Sequence, residues 1–195
     1  MSPGSYSTPL TPHRLDVTVG WGMAIRPIVL YPDPVLLRPT SVVPAVDDDV
    51  RRLVEDLRDT MYAAPGIGLA ANQIGDPRRV CLVDLSTGEQ PDALVVLINP
   101  RIVEVDGRQT GEEGCLSFPD VTLEVERAQR VRVEALGLDG QPFALAAEDL
   151  LARAIQHECE HLDGQVFLRN VSSLKRELVK KQIRKRIRAG DWYAA

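Results

Sequence analysis

Apolar residues recur with a helical period in three stretches of the chain and alternate with polar residues in several shorter segments. Residues 48 to 62 carry apolar side chains three and four apart, which predicts an amphipathic helix that begins near Asp48. A second helix is predicted from Glu148 to Leu162, where Gly164 follows as a left-handed cap. A third, with a weaker apolar stripe, is predicted from Ser173 to Arg188.

Short Val- and Leu-rich runs between the first two helices predict strands. The expected strands cover residues 79–85, 94–98, 101–105, 121–126, 131–135 and 143–146. Asp106-Gly107 predicts a hairpin after residues 101–105, and a short turn should pair residues 121–126 with 131–135. Asp139-Gly140 predicts a further hairpin into the last strand. The predicted fold class is α+β, with antiparallel strands in the middle of the chain and helices later.

The chain of 195 residues is long enough for one domain with a sizeable core. Residues 1–22 are rich in Ser, Thr, Pro and Gly and predict a disordered N-terminal extension without the apolar region of a secretory signal. Residues 23–195 are expected to form a single domain. No apolar run approaches the roughly 20 residues that a membrane span needs, so no membrane partner is expected.

The net charge of −5 argues against nucleic acid as the main partner. Three scattered cysteines suit a reducing compartment, so a cytoplasmic location is expected. The third predicted helix differs from this picture, because it carries eight Lys or Arg residues against one acid, Glu177. Two interpretations stay open for that helix: a solvated terminal helix, or a surface that contacts a polyanion such as RNA.

A His-Glu-x-x-His motif lies on the second predicted helix. His157 and His161 stand four residues apart, so both imidazoles share a helical face with Leu150 and Ala154. Two imidazoles in this arrangement can bind one metal ion, and Glu158 beside them can act as the general base of a hydrolase. The alternative of two ordinary buried histidines does not account for the full motif.

A catalytic metal site usually takes three protein ligands, and no third histidine is placed to serve. Cys115 is the better candidate, because it lies in a glycine-bounded loop at the end of a predicted strand. Glu177 is the alternative, and it would make the protein a His-Glu-x-x-His endopeptidase. Cys159 lies within the motif but about 200° of helix rotation away from the histidines, which predicts a packing role.

Three stretches, Gly66–Gln73, Glu113–Ser117 and Gln156–Leu162, resemble the three motifs of bacterial peptide deformylase in order and spacing. Alone, the first of them would fit either a tight turn or a close approach of the backbone to a ligand. The resemblance implies a His-Glu-x-x-His helix enclosed by antiparallel sheets within a catalytic metallohydrolase domain. It also implies one divalent ion, Fe(II) with Zn, Ni or Co as substitutes. Its implied ligands are Cys115, His157 and His161.

The activity implied by the resemblance is removal of the formyl group from the N-terminal formyl-methionine of nascent chains. A metal-bound hydroxide would attack, and Glu158 would accept the water proton and return it to the leaving nitrogen. The Gln73 amide and the Leu116 backbone N–H would stabilise the oxyanion. An apolar pocket would take the methionine, and the peptide backbone would pair as an added strand. The substrate-binding residues expected are Ile67, Gly68, Gly114, Leu150 and Ala154.

One residue departs from the family pattern, which usually has Asp before the second histidine where this chain has Glu160. We expect Glu160 to pair with Arg127, since the matching family position is an arginine. No feature of the sequence demands more than a monomer, so a monomer is expected. The resemblance further implies that the basic C-terminal helix contacts the ribosome. A non-enzymatic alternative is a metal-stabilised RNA-binding module that uses the same helix.

Overall fold

The computed structural model describes residues 25–64 and 66–193, so the predicted extension at residues 1–22 lies outside the described residues. Within the described ranges, none of the helices is both long enough and apolar enough to cross a membrane. The helices and strands, in chain order, are α1 (Asp48–Ala63), β1 (Gly68–Ala70), β2 (Val80–Val83), β3 (Val95–Asp106), β4 (Gln109–Glu113), β5 (Leu123–Arg127), β6 (Arg130–Leu136), β7 (Pro142–Glu148), α2 (Asp149–Leu162) and α3 (Ser173–Ala189).

Five antiparallel strands form the main sheet in the order β1-β2-β3-β6-β7. Helices α1 and α2 pack on opposite faces of it. Along β2, Val80 and Leu82 belong to the core under α1, whereas Cys81 and Val83 belong to the core under α2. This alternation follows from the two-residue period of a strand, and it explains why β2 is apolar at every position.

Strands β4 and β5 form a separate two-stranded sheet, and this contradicts two of the predicted pairings. The turn at Gly107 does not pair β3 with β4, because Asp106 of β3 is instead opposite Arg130 of β6. The predicted pairing of β5 with β6 is also wrong, since Gln109 of β4 faces Arg127 of β5. The chain therefore leaves the main sheet after Asp106 and returns to it at Arg130.

The runs predicted as two strands at residues 94–98 and 101–105 form one strand, β3. Its pairing with β6 shifts register between Ile98 and Arg101, around Asn99 and Pro100. Asn99 has a positive φ of 54°, and its side chain bonds both the N–H and the C=O of Val43 at 2.8 Å. An irregularity of this kind accommodates a proline inside a strand without ending it.

The predicted helices are confirmed to within a residue at each end. Helix α2 is buried on more than one side, as the enclosed helix of the predicted α+β fold requires. Ile155 and Cys159 pack in the core of the main sheet, which confirms the packing role expected for Cys159. Arg153 and His157 instead contact Glu113 at the end of β4. The helix therefore carries polar groups into the interior between the two sheets.

The end of α2 is held against the N-terminal part of the chain. Gly164 has a φ of +69°, and a Cβ added there would lie 2.5 Å from the backbone carbonyl carbon of Arg38. The backbone N–H and hydroxyl of Thr40 both bond the C=O of Leu162 at 2.8 Å. Glycine is required at this position for two reasons, the left-handed backbone and the close approach of another segment.

We predict that Gly164→Ala lowers the free energy of unfolding by about 2–4 kcal/mol, since it adds a backbone clash to the cost of a left-handed alanine. Gly75→Ala is the matched control, because Gly75 has a φ of +80° with nothing within 4 Å of an added Cβ. The control should lose only about 1–2 kcal/mol. Urea unfolding of both variants measures this, and equal losses would contradict the close-approach argument.

Candidate metal centre and active-site cleft

The three predicted metal ligands converge at one point. Cys115 follows β4, and His157 and His161 lie one turn apart on α2. Their donor atoms all lie within 4.8 Å of one another, and Cys115 Sγ is 3.2 Å from His161 Nε2. Glu177, the alternative third ligand, lies on α3 and pairs with Lys180 at 3.1 Å, outside this cluster.

A buried carboxylate orients the first histidine. Nδ1 of His157 lies 2.7 Å from Glu113 Oε1 and is placed to donate to it, which leaves Nε2 for a metal ion. Arg127 bonds the same carboxylate at 3.0 and 2.5 Å, and Arg153 bonds it at 3.0 Å. Burial alone would raise the pKa of Glu113, but the hydrogen bonds from His157 and Arg127 hold it well below its usual range.

The expected pair between Glu160 and Arg127 is confirmed at 2.7 Å. Glu160 also accepts two hydrogen bonds of 3.0 Å from the Asn170 amide. Arg127 binds Glu113 at the same time, a contact that the sequence did not indicate although Glu113 lies only two residues before the ligand Cys115. Arg127 therefore links the carboxylate behind the metal site to an acid within the His-Glu-x-x-His motif.

Glu158 lies in a buried position that suits a proton carrier. Burial raises the pKa of its carboxyl to about 7, and a cation beside it would oppose that shift. Its Oε2 atom is buried and has no hydrogen-bond partner among the described residues. A Cβ added to Gly68 would overlap the Glu158 carboxylate, so glycine there leaves the space that this side chain occupies.

The Gln73 side chain is fixed with its NH₂ group toward the ligand cysteine. Its Oε1 accepts a 2.9 Å hydrogen bond from the Ala70 N–H. Its Nε2 lies 3.1 Å from Ser117 Oγ and 3.6 Å from Cys115 Sγ. Since the amide oxygen is already engaged, the NH₂ group is the end of Gln73 that faces the ligand cysteine.

These groups open into a cleft of about 430 Å³. Ten of the eleven predicted site residues line it: Ile67, Gly68, Gln73, Gly114, Cys115, Leu116, Leu150, Ala154, His157 and Glu158. The remaining one, His161, is buried and is not part of the cleft wall.

The other residues of the wall were not predicted as site residues: residues 118–122 and Arg153, together with Ile28, Ala64, Gly66, Glu112 and Glu113. Arg153 stands four residues before His157 on the same helix, and this spacing was the available signal for it. Residues 118–122 follow the second motif, Glu113–Ser117, and lie outside all three motifs, so only the fold brings them to the cleft.

A thiolate and two imidazoles form a soft donor set that suits Fe(II) or Zn(II). Burial lowers the pKa of His161 well below its ordinary value, so its ring is neutral, the form that binds a cation. Three ligands leave a position for water or substrate, as in catalytic zinc and iron sites. With the buried glutamate beside them, the fold and the site define the class of metal-dependent hydrolases.

Comparison with known proteins specifies the class further. The family model for polypeptide deformylase matches residues 25–177, so the chain belongs to the polypeptide deformylase family. A peptide deformylase of Acidobacterium capsulatum is 53% identical over 170 residues, which span 87% of this chain and 100% of the relative. A peptide deformylase of Alkalilimnicola ehrlichii is 47% identical over 86% of this chain and 94% of its own length.

Solved structures show the same likeness. The crystal structure of a peptide deformylase from Legionella pneumophila superposes with a TM-score of 0.78 at 39% identity, covering 85% of this chain and 98% of that one. The Ehrlichia chaffeensis peptide deformylase in complex with actinonin superposes with a TM-score of 0.77 at 34% identity, covering 84% and 98%.

We predict that Glu113→Gln weakens metal binding by about 10- to 100-fold, because His157 loses the carboxylate that orients it. Glu124→Gln, an exposed acid on the neighbouring strand β5, is the matched control and should bind metal as the parent does. Titration with a chelator while the bound metal is followed measures both. Equal affinities in the two variants would show that Glu113 does not support the ligand.

Proposed function

We propose that this chain, as a deformylase, removes the formyl group from the N-terminal methionine of nascent polypeptides by hydrolysis at the Cys115–His157–His161 site. The observation that carries the proposal is the buried Glu158 carboxylate beside a three-ligand cluster at the base of one cleft. The reaction consumes water and yields formate and a free amino terminus.

Cys115, His157 and His161 would hold a divalent ion, which would supply Lewis acidity and lower the pKa of water from 15.7 toward about 7. We propose Fe(II) as the physiological ion, with Zn, Ni or Co as substitutes, because the donor set suits several soft and borderline metals. The Cys115 thiolate reduces the positive charge of such an ion. A separate proton acceptor is therefore needed in the site.

Glu158 fills that role. Its free Oε2 can take the proton from water and return it to the leaving nitrogen. A carboxyl whose pKa lies near 7 can both accept and donate at neutral pH, and burial brings the pKa of Glu158 to that region. Gly68 contributes by leaving space for the carboxylate.

The oxyanion that develops on the formyl oxygen needs hydrogen-bond donors already in place. The Gln73 amide is held by the Ala70 N–H on one side and directed toward Cys115 on the other. The backbone N–H of Leu116, the residue after the ligand, is the second proposed donor. Loss of one such donor typically costs about 3–4 kcal/mol of transition-state stabilisation.

Substrate selection follows from the cleft walls. Ile67, Leu150 and Ala154 form the proposed apolar wall for the methionine side chain, and Leu150 is half exposed at the opening. Strand β1 is an edge strand, so the backbone from Ile67 to Gly68 has one side available to pair with a peptide. Gly114 on the opposite side completes this added-strand arrangement, which accepts many sequences after the methionine.

The remaining proposals concern the domain organisation, the cellular location, the oligomeric state and the partners of the enzyme. We assign residues 23–195 to a single catalytic domain and residues 1–22 to an extension, in a cytoplasmic monomer. Most basic side chains of α3 are exposed, which supports contact with ribosomal RNA near the nascent chain. The alternative of an RNA-binding module without activity gives no reason for a buried glutamate at the base of a cleft.

We predict that the Fe(II)-loaded protein, prepared without oxygen, releases formate from formyl-Met-Ala-Ser and that Glu158→Ala loses at least about 100-fold in kcat. The physical reason is the loss of the proton carrier with the ligands left in place. Metal content of both proteins is measured alongside formate release. Acetyl-Met-Ala-Ser is the control substrate, because a cramped site should reject the extra methyl group.

Undiminished turnover in Glu158→Ala with metal bound would refute the proton-carrier role. An absence of formate from the fully loaded parent protein would refute the proposed substrate.

We predict that Cys115→Ser weakens metal binding by more than about 100-fold, because a neutral hydroxyl replaces an anionic ligand. Glu177→Gln is the matched variant and should leave metal content and formate release unchanged. The opposite pattern, with metal lost only in Glu177→Gln, would support the endopeptidase alternative. Elemental analysis after dialysis against a weak chelator gives the answer.

A further inference from the structure

We propose that Arg186, on the C-terminal helix α3, is a positioning residue for substrate binding that holds residues 118–122. These residues, here named the rim segment, form one wall of the active-site cleft. The inference rests on the proposed function, because its effect is read in the kinetics of deformylation. Arg186 lies beyond residues 25–177, which the family model matches, so the contact is a property of this chain's C-terminal part.

Arg186 contacts the rim segment at two adjacent residues. Its Nη1 donates to the Pro119 carbonyl at 2.9 Å, and its Nη2 donates to Asp120 Oδ2 at 3.0 Å. Asp120 has a positive φ of 57°, which a residue other than glycine rarely adopts without support. The planar guanidinium can bind the carbonyl and the carboxylate together, so it fixes the backbone at this bend.

Arg186 is itself held in place by the end of the chain. Its Nη2 also donates to the Asp191 carbonyl at 2.9 Å, and its guanidinium carbon lies 5.0 Å from the centre of the Trp192 ring. The Trp192 indole N–H donates to the Tyr31 carbonyl at 2.6 Å. These contacts make the Arg186 side chain a fixed support, since one face of the guanidinium and both of its terminal nitrogens are engaged.

Tyr31, which accepts the Trp192 hydrogen bond, also contacts the start of the rim segment. The Tyr31 ring stacks on Phe118 with 4.8 Å between ring centres, and the Tyr31 N–H donates to the Ser117 carbonyl at 3.0 Å. The Phe118 N–H donates to the carbonyl of Cys115 at 2.8 Å. The rim segment is thus attached to the metal ligand at its start and to Arg186 at its middle.

The contacts of Arg186 predict which kinetic constant it affects. None of the hydrogen bonds and ion pairs of Arg186 involves Cys115, His157, His161 or Glu158. Loss of Arg186 therefore leaves the reacting groups in place and loosens one wall of the cleft. An interaction that serves ground state and transition state alike raises KM and leaves kcat unchanged when it is removed.

The test is steady-state kinetics on formyl-Met-Ala-Ser with the metal-loaded full-length protein. We expect Arg186→Ala to raise KM about 5- to 10-fold with kcat within about twofold of the parent. Arg186→Lys keeps the charge but cannot bind Pro119 and Asp120 together, so it should raise KM as well. Arg184→Ala is the matched control, since Arg184 is an exposed cation on the same helix without a contact to the rim segment among those recorded.

Each outcome decides a separate point. An unchanged KM in both Arg186 variants, or an equal rise in Arg184→Ala, would overturn the positioning role. A loss of kcat with unchanged KM would overturn it too, because the effect would then be on the chemistry. If Arg186→Ala fails to fold by thermal unfolding, Arg186→Lys alone decides the question. Absence of formate from the parent protein would instead overturn the proposed function itself.

Discussion

The structure depends on how polar groups are accommodated in the interior around α2. A helix that brings two histidines and a glutamate between two sheets must find partners for them, because unpaired buried polar groups are costly. Glu113 meets part of that need, since its carboxylate binds His157 and is itself paired with Arg127 and Arg153. Glu158 Oε2 and His161 Nδ1 have no hydrogen-bond partner among the described residues. The two-stranded sheet β4–β5 brings Glu113 and Arg127 to this place. The ligand His157 is therefore held by a carboxylate whose own charge is balanced by two arginines.

The arrangement of the sheets also determines where the cleft opens. Strand β1 is an edge of the main sheet, and β4 ends at Glu113 just before Gly114 and Cys115. The cleft lies between these two chain segments, with α2 at its base. An edge strand is normally a liability for aggregation, but here its free side faces the cleft and is available to a peptide. Under the proposed function, this edge serves to recognise the peptide.

The basic side chains of the C-terminal helix differ in how far they are engaged within the molecule. Most of these side chains are exposed, whereas Arg186 is engaged by the rim segment and by Trp192, and Arg176 by the carbonyls of Leu168, Arg169 and Val171. A sequence rich in Lys and Arg does not show which cation is used within the molecule. Phe118, at the start of the rim segment, packs against Tyr31 and Phe167. This packing explains why the rim segment stays close to the metal centre.

The sequence by itself determined the helices, the α+β class and the set of residues that meet at the candidate site. Helical periodicity is a local signal, and the three motifs carry residue types whose spacing limits what they can do. Local signals also placed the turn at Gly107, yet they assigned the wrong partners to β3 and β5. Only the tertiary structure decided that those strands belong to two sheets, because strand pairing depends on which apolar faces are buried together over the whole chain. For the same reason it alone revealed Glu113 at the centre of the buried charges and Arg186 against the rim segment.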